Sequence, residues 1–90
     1  MKAPRTKIER LLKTARGQID GVLKMIDEDQ YCVDIVNQIL ASDAILRKAV
    51  KEILHAHMSS CISEAFETGD KAAKDEKIGE MLKILDKLSR

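Results

Sequence analysis

Among the 90 residues of this chain, Cys32, His57 and Cys61 are the side chains whose types and spacing could hold a soft metal ion. His57 and Cys61 stand four residues apart, so on a helix they project from one face, one turn apart. A thiolate and an imidazole so placed can share one ion. By itself such a pair arises by chance in long helices, and a buried Cys is commonly just a small apolar filler. Cys32 adds a second thiol. Two thiolates and one imidazole form a soft set that favours Cu(I), for which three ligands suffice; a closed Zn(II) site would want a fourth. His55 is two residues from His57, points to another face, and reads as a surface or packing histidine.

The elements that must position these groups follow from the apolar pattern. From Gln30 to Thr68 there is neither Gly nor Pro. Cys32, Val36, Ile39, Leu46, Val50, Ile53 and His57 keep a near-heptad rhythm through this stretch, interrupted by Asp43. Ile35, Leu40, Ile45 and Leu54 widen the apolar surface. A helix over about 30–68 is expected, some ten turns long, which is long for the core of one small domain and suggests a dimer. Cys32 precedes His57 by 25 residues, or ~37 Å along a helix axis. One chain cannot close that gap. Two antiparallel copies of the helix crossing near Leu46 can, with Cys32 of one meeting His57 and Cys61 of the other in two identical sites.

Helices are expected on either side. Ile8, Leu11, Leu12, Ala15, Ile19, Val22 and Ile26 mark one buried stripe of a helix over about 7–27. Thr6 and Glu9 match a capping box at its start. The run Asp27-Glu28-Asp29 suits the positive end of the next helix. Gly69 reads as a stop and Asp70 as the cap of a third helix over about 71–88, with Ile78, Met81, Leu82, Leu85 and Leu88 on one side. Gly79 inside it has no evident role. The chain reads as one all-α domain over 1–90.

Charge is distributed unevenly. Residues 1–16 carry Lys2, Arg5, Lys7, Arg10, Lys13 and Arg16 against Glu9 alone, a balance of +5, whereas the whole chain is +1. A basic end on a near-neutral protein fits a polyanion, and equally a solvated helix face. Arg10, Lys13 and Arg16 are the first candidates for DNA phosphates, with Lys51 a lesser one.

The segments RLLKTARGQIDGVLKMIDEDQYCVD (10–34), with its RGQ-x-x-G core, and LHAHMSSC (54–61) resemble the copper-sensitive operon repressor (CsoR-like) family. The likeness extends over nearly the whole chain. The Tyr-Cys pair, the His-x-His segment and the Cys-to-Cys interval of 29 look like its copper-responsive branch. The resemblance implies a three-helix protomer, an antiparallel four-helix dimer core and homotetramers built as dimers of dimers. It implies a repressor without a helix-turn-helix that leaves double-stranded operator DNA when Cu(I) binds, releasing copper export genes. It implies Cys32 from one protomer with His57 and Cys61 from the other as ligands. Tyr31 would support the site from beside the first Cys, and Glu80 from the third helix, with Glu76 the alternative. Nickel- and cobalt-responsive members use a histidine near the N-terminus, which this chain lacks. Formaldehyde-responsive members lack the second Cys, and sulfane-sulfur-responsive members lack the histidine.

Two other readings stay open: a thiol-redox or persulfide-responsive repressor using Cys32 and Cys61, and an interaction module whose cysteines are only core. An enzyme is not expected, since no phosphate-binding glycine loop or nucleophile–base–carboxylate set is discernible. No stretch reaches the ~18 apolar residues of a membrane span, and MKAPRTKIER is not a secretory leader. A cytoplasmic location, with reduced thiols, is expected.

Overall fold

Among the described residues there are three helices: α1 (Arg5–Asp27), α2 (Cys32–Thr68) and α3 (Lys71–Leu88). This computed structural model describes residues 1–89, without the side chains of Ala65, Phe66 and Thr68. No strand occurs among the described residues.

Helix α1 begins two residues before the expected Lys7, and the Thr6–Glu9 capping box does not form. Pro4 takes the N-cap position in extended backbone, with no side-chain cap; its carbonyl accepts from the Ile8 N–H at 3.2 Å. Proline suits a helix entrance because it brings no amide hydrogen that needs a partner. Glu9 is occupied instead by the Arg5 Nε donor at 2.8 Å, one turn back.

At the other end, the acidic run does not enter α2. Asp27 ends α1, Glu28 is its C-cap, and Asp29 takes a left-handed φ of 52°. The Asp29 N–H donates to the Ile26 carbonyl and the Gln30 N–H to the Met25 carbonyl, each at 3.0 Å. These two bonds form a Schellman cap, with aspartate in the place glycine usually takes. Helix α2 then starts at Cys32, with the Tyr31 carbonyl accepting from Asp34 and Ile35.

The link to α3 follows local side-chain chemistry. Gly69 adopts φ +66°, a conformation that disfavours a side chain. The Asp70 carboxylate accepts from the Ala73 N–H at 3.1 Å and caps α3.

The chain divides into two packing units. One, Pro4–Lys51, is the hairpin of α1 and the first half of α2. Its buried residues fall at heptad steps, Ile8, Ala15 and Val22 on α1 and Ser42 and Ala49 on α2. Small residues at such steps allow two helices to approach closely. Ser42, only 4% exposed, has its hydroxyl 3.1 Å from Gln18 Oε1 and 3.2 Å from the Gln38 carbonyl. That satisfies a buried hydroxyl that would otherwise cost free energy. Asp43, the break in the apolar rhythm, accepts from Arg47 Nε at 2.9 Å on the surface.

The other unit holds residues 1–3 and the chain from Glu52 onward. Here Ala3 and Met81 are buried. Lys2 approaches Glu64 at 3.9 Å, an exposed pair worth little.

The stripes expected to be buried are only partly covered. Leu12, Ile19 and Ile26 on α1 and Ile78, Leu82 and Leu85 on α3 remain exposed, as do Val36, Ile39, Leu40 and Leu46 on α2. Apolar area of this extent is uncommon on a monomeric surface.

Candidate metal centre

His57 and Cys61 lie on the second half of α2, which runs without a break from Cys32 to Thr68. Continuity follows from the absence of Gly and Pro in that stretch. The Cys61 Sγ is 3.4 Å from His57 Nε2, and both side chains are half-buried. With metal–sulfur and metal–nitrogen bonds of about 2.3 and 2.0 Å, that separation corresponds to an angle of roughly 105° at a shared ion. A trigonal site would need the two atoms only a few tenths of an ångström further apart. The pair therefore has the chemistry and the spacing of two ligands to one soft ion.

Cys32 is the first residue of α2, exposed and outside any disulfide, and Tyr31 before it is also exposed. Among the described residues no group of three or more His, Cys, Asp or Glu side chains is placed to hold a metal. Of the three ligands suggested by the sequence, one chain brings together only His57 and Cys61. Glu80 and Glu76 are exposed on α3, and the hydrogen bond of His57 is to Cys61, with neither carboxylate drawn to it. His55 is exposed, on another face from His57.

Cys61 also borders a cavity of about 170 Å³. Met58 and Ile62 of α2 and Ile78 and Met81 of α3 form its walls, joined by Lys74 and Lys77. The two methionines were missed in the sequence. Met58 precedes Cys61 by three residues and so shares its face, but nothing local marks Met81 as its neighbour.

The basic candidates fall in the other unit. Arg10, Lys13 and Arg16 are exposed on α1, and Lys51 is exposed on α2. None of these four is paired with an acid among the described residues, whereas Arg5 is held by Glu9 and Lys24 by Glu28. Three cations at three-residue steps fan across one side of a helix, away from the buried Ile8–Ala15–Val22 line.

Residues 5–87 match the metal-sensitive transcriptional repressor family. The chain belongs to that family. Its members are transcriptional repressors and not enzymes. Among curated relatives, the copper-sensing repressor CsoR of Mycobacterium ulcerans is 44% identical over 74% of this chain and 58% of its own length. The copper-sensing repressor RicR of Mycobacterium tuberculosis is 35% identical over 88% of this chain and 81% of its own. The match thus spans little more than half of the first of these relatives. Two solved structures are similar. The copper-sensing repressor CsoR with Cu(I) from Geobacillus thermodenitrificans has a TM-score of 0.80 at 29% identity, over 94% of this chain and 85% of that one. The nickel-responsive regulator InrS has a TM-score of 0.85 at 26% identity, over 92% and 93%. The all-α, three-helix fold expected from the periodicity is the fold of this family.

Proposed function

We propose that the chain is a cytoplasmic, Cu(I)-responsive repressor that holds operator DNA in its metal-free form and releases it on binding Cu(I), so that copper export or resistance genes are expressed. The observation that carries this reading is the 3.4 Å contact between Cys61 and His57, with the remaining thiol at the start of the same helix. Copper-sensing relatives support it. Two thiolates and an imidazole are soft ligands suited to Cu(I). The imidazole beside Cys61 favours metal binding over a sensor that needs thiols alone.

Completing the set takes a second copy. Antiparallel packing of two α2 helices would bring Cys32 of one chain to His57 and Cys61 of the other. It would also cover Val36, Ile39, Leu40 and Leu46, which a single chain leaves exposed. A dimer of such dimers is the expected assembly. Cu(I) held there would tie two chains together through sulfur and nitrogen. The residues do the rest. Cys32 and Cys61 supply thiolates, and His57 offers one ring nitrogen to the ion and the other to a carboxylate. Glu80, with Glu76 as the alternative, would accept that second N–H and link the site to α3, with Tyr31 closing the network. Arg10, Lys13 and Arg16, with Lys51, would neutralise DNA phosphates.

Anaerobic titration with Cu(I), followed by thiolate-to-copper absorbance, should saturate at one ion per protomer. Ni(II) should compete poorly, since that ion prefers more nitrogen and oxygen donors. An equimolar mixture of Cys32→Ala and Cys61→Ala chains, after subunit exchange, should regain tight sites that neither variant has alone. A mixture with no tight site would defeat the intersubunit ligand set. A wild-type chain that binds no Cu(I) would defeat the copper reading.

A further inference from the structure

The chemistry around Cys61 is richer in sulfur than the three ligands just assigned require. Two of the four methionines of the chain, Met58 and Met81, border the cavity that Cys61 borders. Met58 lies on the face of α2 that presents Cys61, three residues away. Met81 is the buried residue of α3, only 7% exposed. The nitrogen of His57 reaches the same thiol from the preceding turn. One chain therefore lines this cavity with a thiol and two thioethers, within a single packing unit, and holds an imidazole against the same thiol outside the cavity lining.

Methionine often fills irregular gaps in apolar cores, but here a gap remains. The cavity is large enough for a bare ion, and most of its other lining is apolar. Thioethers are soft, neutral donors that suit Cu(I) and offer little to Zn(II) or Mg²⁺. Lys74 and Lys77 also line this cavity, which would discourage a divalent cation. One thiolate with Cu(I) is electrically neutral, so a monovalent ion bound by Cys61 escapes most of that repulsion.

We propose that this cavity is a Cu(I) entry site, where Cys61 and a thioether of Met58 or Met81 hold the ion before His57 of the same chain and Cys32 of a second chain displace the thioether. The inference rests on the copper reading above and adds a site contained in one protomer. The hand-off is a ligand exchange without redox change. The Cys61 thiol proton passes to solvent on entry. At the hand-off a copper–thioether bond breaks, bonds from Cu(I) to the His57 nitrogen and the Cys32 thiolate form, and the thiol proton of Cys32 passes to solvent.

Selenomethionine-labelled protein tests this, because selenium bonded to copper scatters X-rays distinctly from sulfur. In the Cys32→Ala chain, where the hand-off cannot be completed, anaerobically added Cu(I) should show copper–selenium scattering in its absorption fine structure. The signal should vanish when Met58→Leu and Met81→Leu are added, although Met1 and Met25 still carry selenium. That combined variant should bind Cu(I) roughly tenfold more weakly than Cys32→Ala alone, as loss of a weak ligand implies. Leucine keeps the volume of methionine, and circular dichroism should show unchanged helix content. Copper bound by Cys32→Ala without copper–selenium scattering would overturn the entry site and leave the copper reading standing. So would a Cys32→Ala chain that binds no copper while wild type does. A wild-type chain without Cu(I) binding would overturn both.

Discussion

The two packing units differ in what they bury and in what they expose. The α1–α2 hairpin buries a line of small and branched residues at heptad steps, and presents Arg10, Lys13 and Arg16 without acidic partners. The unit built from the second half of α2 and from α3 buries Ala3 and Met81 among its described residues, and lines a cavity with Cys61, Met58 and Met81. On the proposed function the first carries the cations for DNA and the second carries His57 and Cys61, while Cys32 lies in the first unit. On that reading DNA affinity and metal affinity would rest on separate side chains, so each should yield to mutation without the other. Coupling between them then has to be a property of the protein's conformation and not of shared residues.

The largest effect should come from the thiol. Cys61→Ala should lose tight Cu(I) binding altogether while holding operator DNA as the wild-type metal-free chain does. Fluorescence anisotropy with labelled operator would show both, and a parallel loss of DNA affinity would erase the division between the units. Next comes the charged face. Replacing Arg10, Lys13 and Arg16 together by Ala should lower the slope of log affinity against log salt by about 2.7, at ~0.9 per phosphate contact. Cu(I) binding should stay intact. An unchanged slope would put the DNA surface elsewhere.

A smaller effect is expected where the two activities communicate. Glu80→Ala should bind Cu(I) nearly as tightly as wild type yet remain on DNA in its presence, losing ~1 kcal/mol or more of a coupling that typically amounts to 1–3. Full release by this variant would leave Glu76, or the ligand geometry alone, to carry the signal. Smallest is Gly79→Ala. A Cβ at this position meets nothing within 4 Å, and alanine is the better helix former by up to ~1 kcal/mol. A rise in unfolding midpoint, without change in copper or DNA binding, is the expected result. A fall would mean that a neighbouring chain packs on this glycine.

Where local chemistry decides structure, the sequence was legible. The Asp70 cap and the Gly69 stop depend on one side chain and on one missing side chain, and α3 runs over Lys71–Leu88 as the pattern suggests. Where two local solutions compete, it misled. Thr6 and Glu9 could have capped α1, but Pro4 offers an entrance needing no cap and Arg5 claims Glu9. Asp29 stands where glycine would have announced the turn, so the acidic run looked like a helix start. Contacts between elements were the least legible. The Cys61–His57 contact follows from helical spacing, but the buried Gln18–Ser42 hydrogen bond and the approach of Met81 to Cys61's cavity depend on how two helices face one another. The exposed stripes were legible as apolar without showing that one chain leaves them uncovered.

The two links between helices, residues 28–31 and 69–70, set the tempo at which this protein assembles. Alongside such short connections, helices supply mostly local contacts, beside longer ones such as Gln18–Ser42 and Lys2–Glu64, and helical chains of low contact order fold in microseconds to milliseconds. Anything requiring a second copy is instead a collision, with a rate proportional to concentration and commonly taking milliseconds to minutes. Newly made chains would thus be helical well before they meet. At low abundance the interval between synthesis and a complete sensor is governed by encounter frequency, not by folding.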